Sequence, residues 1–221
     1  MTLKRLINGS SVVAVGAFMP RLLTPIWLAQ REILAEEDLQ SADINIIGND
    51  VTRISLPWLS LYCDKERLSV EVMQEPLVRA QDIASGILGN IAEYPTAMLG
   101  INRHIHLAAP DEQVWHRLGD LVTPKEPWGR FAIEDGVRRA GMRSLTMERG
   151  RHKPPGFMRV TIEPSGRITH GVYFGTNDHY DLQVDGQPST ARETVDVIHN
   201  RWDQSVQEVD DLIESLLGQV S

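Results

Sequence analysis

The stretch Gly100-Ile-Asn-Arg-His-Ile-His106, within the run Ala97–Leu107, largely alternates apolar and polar residues. Successive side chains of a β-strand point to opposite faces, so this alternation predicts a strand with one mainly apolar and one polar face. That division is typical of an antiparallel sheet that covers a core on one side only. The polar face of the predicted strand carries Asn102, His104 and His106.

The segments around this strand predict the rest of the fold. Further strands are expected at Ser11–Phe18, Thr52–Tyr62, Arg67–Gln74, Met142–Arg149, Phe157–Glu163 and Ile168–Thr176. Helices are expected at Glu32–Ser41, Pro76–Tyr94, Pro110–Leu118 and Thr190–Leu217. Runs of strands separated by a few helices indicate an α+β fold, mainly an antiparallel sheet packed by helices. We expect one domain over residues 1–221, and the alternative is two subdomains that meet near residue 95.

The last helix is long and amphipathic. Thr190 and Glu193 form a capping-box pattern at its start, and a length of about 42 Å follows from 1.5 Å per residue. Its apolar stripe can pack within the chain or against a second subunit, and the length favours an interface with another copy or a protein partner. The candidate interface residues are Val195, Ile198, Trp202, Val206, Val209, Ile213 and Leu216.

Composition predicts a soluble cytoplasmic protein. The 221 residues are 42% hydrophobic and 24% charged, which is ordinary for a globular chain. The single cysteine, Cys63, excludes an intramolecular disulfide and suits a reducing compartment. The apolar run Val12–Met19 is expected to be part of a strand rather than a signal peptide, because Asn8–Ser11 interrupts its approach. We expect no cofactor and no contact with a membrane.

The two histidines form the first candidate site. Asn102, His104 and His106 share a strand face, and Asp178 and His179 are candidates to complete a polar ligand-binding or catalytic site. The alternative is a plain polar face, which a half-exposed strand carries in any case. The chain contains no nucleotide-binding, nucleophile-elbow or zinc-protease motif, so it leaves open whether the protein is an enzyme.

A basic segment forms the second candidate site. Residues 138–170 carry eight arginines and lysines against two glutamates, whereas residues 181–221 carry two arginines against nine acidic residues. Arg149, Arg151, Lys153 and Arg159 can bind the phosphates of a nucleic acid. They can equally pair with the acidic C-terminal helix, and the overall net charge of −8 favours that pairing.

Four tryptophans lie near prolines: Trp27, Trp58, Trp115 and Trp128. Aromatic residues in such places usually anchor irregular backbone to a core, so we expect them to be buried. An exposed one would instead indicate a partner site.

Several short motifs follow one another along the chain. They are Leu22–Trp27, Gly100–Arg103, Trp115-x-x-Leu-Gly119, Pro124–Trp128, Gly141–Ser144 and Asn177–Tyr180. In this succession the chain resembles a family of bacterial proteins of similar length to which no activity is assigned. The resemblance implies a bacterial origin. The leading hypothesis is a binding or assembly protein that acts through protein–protein interaction, as a homo-oligomer or with another protein. The alternatives are an enzyme or ligand-binding protein using the histidine face, and a nucleic-acid-associated protein using the basic segment.

The histidine pair generates the first prediction. Two histidines and an asparagine on one strand do not complete a metal ligand set, so the purified protein should carry no stoichiometric metal. Elemental analysis measures this directly. About one zinc, iron or manganese per chain, lost in His104→Ala or His106→Ala, would contradict it.

Overall fold

The computed structural model describes residues 3–138 and 140–219. The strands are β1 (Lys4–Gly16), β2 (Asp43–Ile47), β3 (Val51–Ser55), β4 (Leu59–Asp64), β5 (Arg67–Val72), β6 (Pro95–Ala108), β7 (Ile133–Glu134), β8 (Val137–Arg138), β9 (Leu145–His152), β10 (Pro155–Pro164), β11 (Gly171–Asp181) and β12 (Ser189–Thr190). The α-helices are α1 (Pro25–Gln30), α2 (Glu36–Gln40), α3 (Arg79–Asn90), α4 (Glu112–Val122) and α5 (Ala191–Gly218). Short 3₁₀ helices occupy Pro20–Leu22 and Glu126–Phe131.

Ten strands of the described chain form one antiparallel sheet. Its order is β2-β3-β4-β5-β1-β6-β11-β10-β9, and β12 pairs with the first residues of β6. The two longest strands, β1 and β6, therefore lie at the centre and pair with each other from Lys4↔Ala108 to Gly16↔Thr96. The fold is α+β with a mainly antiparallel sheet and a long C-terminal helix, as the sequence predicted.

The sheet is built from two similar halves. On one side of the central pair the meander β3-β4-β5 leads into α3 and then β6, and on the other side the meander β9-β10-β11 leads into α5. The two central strands are β1 and β6. β1, from the start of the chain, pairs with β5 on its other side, and β6 pairs with β11 on its other side. The sequence shows no repeat that would reveal this arrangement.

The helices pack on a single face of the sheet. α3 contacts β1, β5 and α5, and α5 also contacts β6. Two buried apolar clusters lie beneath them, one around β1, β4, β5 and α3, the other around β10, β11 and α4. The opposite face carries residues such as Asn102, His104 and Tyr173, and in the described chain no helix packs on it. We call this second side the open face.

Several element boundaries differ from the sequence predictions. The strand expected at Thr52–Tyr62 is two strands, β3 and β4, because Leu56–Trp58 turns the chain. The helix expected at Glu32–Ser41 is only α2, and α1 precedes it, where Thr24 caps the helix by accepting from the Trp27 backbone N–H. β9 and β11 begin three residues further along the chain than expected and end three and five residues further, whereas β10 begins two residues earlier and ends one residue later.

The C-terminal helix packs within its own chain. Its candidate interface residues lie in both apolar clusters: Val195, Ile198, Trp202 and Val206 in the first, and Val209, Ile213 and Leu216 in the second. The helix is long enough to contribute to both clusters, so its length does not require a second subunit. The stripe is therefore not available as the subunit interface, although association through another surface stays a prediction.

No helix in the described part of the chain is long and apolar enough to span a membrane.

Trp202 provides a stability test of this packing. The side chain is only 4% exposed, so Trp202→Ala should lower the free energy of unfolding by about 3–5 kcal/mol. Urea denaturation measures the change. Val184→Ala, at an exposed turn position, is the control and should change it by less than about 0.5 kcal/mol. A loss below about 1 kcal/mol for Trp202→Ala would contradict the packing described.

Candidate functional site

The histidines of β6 lie in the middle of the open face. Antiparallel neighbours flank the strand on both sides, β1 and β11, and the alternation along β6 places Asn102, His104 and His106 away from the helices. The site is therefore central to the sheet rather than at an edge. Arg103, between them in sequence, points to the helix side, where it is buried and its Nη2 donates to Asn8 Oδ1 at 2.8 Å.

His104 lies within a hydrogen-bonded group on this face. Its Nδ1 is 3.0 Å from the Tyr173 hydroxyl, and its Nε2 is 3.4 Å from Ser11 Oγ. The Asn102 amide donates to the same Ser11 oxygen at 3.1 Å. Because Ser11 is buried, this serine is not accessible as a nucleophile, and the group orients the His104 ring.

Two glycines make room for the side chains that lie along the open face. A Cβ at Gly175 would lie 2.6 Å from the Tyr173 hydroxyl oxygen, and a Cβ at Gly9 would lie 2.5 Å from Met73 Sδ. Only glycine allows Tyr173 to lie flat across its own strand. Its ring is 4.8 Å from the His106 ring and nearly parallel to the His104 ring.

The Ser165 hydroxyl fixes the protonation of His106. Ser165 Oγ accepts from the backbone N–H groups of Arg167 and Ile168, both at 3.1 Å, and lies 2.8 Å from His106 Nδ1. A hydroxyl oxygen that accepts twice has its own proton left to donate, so Nδ1 is the acceptor. The neutral ring then carries its proton on Nε2, which faces the open side.

Both rings are held in the neutral form. Burial lowers the pKa of His104, reinforced by Arg167 and Arg103 and opposed by Glu71. Burial also lowers the pKa of His106, together with Arg167 and His104 and against Glu163. At neutral pH these groups act as a neutral donor and acceptor set rather than as cations.

The two other residues proposed for this site lie elsewhere. Asp178 points to the helix side and is fully buried, where it accepts from the Tyr180 hydroxyl at 2.6 Å and pairs with Arg151. His179 faces the open side but is opposite Gly100 in the register, and its ring stacks on Phe157 at 4.6 Å. The structure therefore does not bring them together with His104 and His106. The sequence suggested residues Asn177–Asp181 as a source of ligands, but they form the end of β11. Alternate residues of a strand face opposite sides of the sheet, so these side chains do not converge.

The basic segment is largely paired within the chain. Arg149 and Arg151 both donate to Glu208 of α5, at 2.6 and 2.8 Å, and Arg151 also bonds to Asp178. Burial alone would raise the pKa of Glu208, but the two arginines and Gln204 hold it below its ordinary value. Arg159 pairs with Glu148 on the neighbouring strand, and the Lys153 carbonyl accepts from Arg201. The arginines of the proposed phosphate site thus already have carboxylate partners.

Metal binding and catalysis by the cysteine thiol have little support in the described chain. Residues 3–138 and 140–219 contain no group of three or more histidine, cysteine, aspartate or glutamate side chains placed to hold a metal ion. Burial and Asp64 raise the pKa of the Cys63 thiol to about 12, so this cysteine stays protonated at neutral pH.

A depression on the open face collects residues that the sequence analysis did not connect. Its volume is about 320 Å³, and it lies beside His104 and His106. The other lining residues are Glu71, Met73, Glu163, Gly166, Arg167 and Tyr173. Tyr173 could have been found from the alternation of β11, but Glu71 and Arg167 come from a distant strand and a turn. Only the order of the strands brings them close.

The segment between α4 and β9 exposes aromatic side chains. Trp128 is 56% exposed and Phe131 is 73% exposed, with ring centres 6.1 Å apart. Within residues 126–138 only Ala132 is buried, and β7 and β8 form a separate two-stranded hairpin. We call residues 126–138 the aromatic arm. The expectation that Trp128 anchors the backbone to the core is wrong, because the arm has almost no core to contact.

No protein-family model matches the chain, and no curated protein sequence matches it. The candidate functions below therefore depend on the geometry of the chain itself.

The two lowered histidine pKa values predict how stability depends on pH. The unfolded chain binds protons at the ordinary histidine pKa near 6.5, whereas the folded chain binds them only at lower pH. The stabilisation is present above about pH 6.5 and is lost as the pH falls through the folded-state values. The double variant His104→Gln/His106→Gln should therefore lose less stability than the wild type between about pH 7.5 and pH 5.5.

Chemical denaturation at several pH values measures this difference in slope. His199→Gln, at an exposed position of α5, is the matched control and should keep the wild-type slope. Equal slopes for the wild type and the double variant would show that the two rings titrate alike in the folded and unfolded chain.

Proposed function

We propose that this protein acts by protein–protein association and that the aromatic arm is its association surface. The observation that carries the proposal is the exposure of Trp128 and Phe131 side by side. Tryptophan is enriched among the residues that contribute most to interfaces, and adjacent exposed aromatic groups are costly to leave in water. Ile133 and Val137 of the arm hairpin add exposed apolar surface.

The neighbouring sheet edge supports this location. Trp128 and Phe131 line a small cavity together with Arg143 and Ser144, which directly precede β9. β9 is an edge strand whose register with β10 is continuous from Leu145 to His152. The other edge strand, β2, is shorter and has a register shift between residues 44 and 46. Bulges and short strands protect sheet edges from pairing, and β9 has neither protection.

The occupant of this surface is a second copy of the chain. In a two-fold dimer each apolar patch meets the same patch on its partner, so one surface satisfies both copies. Antiparallel pairing of β9 with itself around Met147 places Thr146 opposite Glu148, and Leu145 opposite Arg149, of the other copy. Pairing around Glu148 or Arg149 would place like charges opposite each other, which disfavours those registers. Met147 is itself largely exposed.

Sedimentation or light scattering of the purified protein tests the proposal. The wild type should show a mass near twice 24.8 kDa at micromolar concentration. Trp128→Ser/Phe131→Ser should be monomeric, and its free energy of unfolding per chain should change by no more than about 0.5 kcal/mol because both side chains are exposed. Met147→Glu should also weaken association, because it places two carboxylates at the two-fold axis.

Ile26→Ser/Val184→Ser is the matched control, since these two residues are as exposed as those of the arm but lie elsewhere on the chain. This control should stay dimeric. A wild-type protein that is monomeric over the micromolar range, or an arm variant that stays dimeric, would overturn the proposal.

A further inference from the structure

The depression on the open face has polar groups of opposite charge at its two ends. Glu71 enters from β5, and Arg167 enters from the turn between β10 and β11. Four strand spacings separate β5 from β10, which is on the order of 19 Å at about 4.8 Å per spacing. The two charged side chains therefore enter the depression from opposite sides.

Neither of these side chains has a partner among the described residues. Within residues 3–138 and 140–219 the Glu71 carboxylate and the Arg167 guanidinium take part in no hydrogen bond and no ion pair. By contrast, Arg149, Arg151 and Arg159 of the same chain all contact a carboxylate. Arg167 is exposed and Glu71 is half-buried, so water solvates both charges, and a ligand of matching charges can replace that water.

His106 provides a further polar contact for a ligand between them. Its side chain is 7% exposed and lines the depression, and Ser165 occupies its Nδ1. Its Nε2 proton has no acceptor among the described residues. The Nε2 atom keeps some contact with solvent, so an oxygen atom of a ligand can replace water as the acceptor of its proton. The Tyr173 hydroxyl, beside His104, is a second group that a ligand can reach.

We propose that this depression binds a small elongated zwitterion, with its ammonium group at Glu71 and its carboxylate at Arg167 and His106 Nε2. The carbon chain of the ligand lies over the flat Tyr173 ring and beside Met73. Glu163 lines the Arg167 end and repels the carboxylate, so it weakens binding at that end. The site is separate from the aromatic arm and does not depend on the proposed association.

Three probes with the same carbon skeleton test the charge requirement. They are 6-aminohexanoate, hexylamine without the carboxylate, and hexanoate without the ammonium group. Calorimetric titration should give saturable binding of 6-aminohexanoate at or below about 1 mM, and binding of either single-charge probe at least about tenfold weaker. Shifts of the His106 ring signals in NMR spectra identify the place of binding.

Variants of the lining residues distinguish this arrangement from a simple cation or anion site. Glu71→Gln and Arg167→Gln should each weaken 6-aminohexanoate binding by about tenfold or more, because each removes one charge-assisted contact. Glu163→Gln should strengthen it. The matched control is Glu93→Gln/Arg192→Gln, an exposed ion pair far from the depression in sequence, and it should bind as the wild type does.

Each alternative to the zwitterion site predicts a different binding result. Hexylamine binding as tightly as 6-aminohexanoate, together with weaker binding in Glu163→Gln, would show an organic-cation site instead. Hexanoate binding as tightly would show an anion site, and no saturable binding up to about 10 mM would remove the site altogether. Trp128→Ser/Phe131→Ser should bind the zwitterion normally, so failure of the association proposal leaves this result unaffected.

Discussion

The pairing of β1 with β6 joins the two parts of the sheet. These strands come from different parts of the chain, yet they pair over almost their full length at the centre of the sheet. Without β1, the half that contains β3, β4 and β5 would not be hydrogen-bonded to the half that contains β9, β10 and β11. Closing such a long loop costs entropy, which the buried strand pair and the helices α3 and α5 must offset. Arg103 strengthens the junction, because its guanidinium reaches from β6 to Asn8 on β1 and lies 3.8 Å from Asp210 of α5.

One-sided packing determines where polar chemistry can occur. Since α3 and α5 cover the same face, the central strands have an apolar side and a side that no described helix covers. Polar residues at alternate positions of β5, β6 and β11 therefore meet on the open face. Their neutral rings, their hydroxyl groups and the two unpaired charges form an environment for recognition, whereas the buried Ser11 and the protonated Cys63 offer no accessible nucleophile.

The acidic C-terminal helix and the basic strand β9 form one electrostatic unit. Glu208 receives two arginines from β9, and Arg151 continues the contact to the buried Asp178 and Tyr180. A buried charge without its partner is costly, so this group ties the edge strand to the helix layer. The opposite charges of the two segments are visible in the sequence, but the pairing is specific to side chains that only the fold brings within reach. In the part of the chain that the structure describes, no strand pairs with the outer edge of β9.

Features that depend on local periodicity can be predicted from the sequence alone. Alternation in Ala97–Leu107 predicted a strand with Asn102, His104 and His106 on one face, and the three-to-four spacing from Val195 to Leu216 predicted the long helix, because side-chain direction follows directly from backbone geometry. What those faces contact depends on the tertiary structure. It placed Asp178 on the opposite side of the sheet from the histidines, packed the helix stripe within the chain, and left Trp128 exposed. It also brought Glu71 and Arg167 to one depression, since proximity between distant segments depends on strand order and loop closure, which a local pattern does not encode.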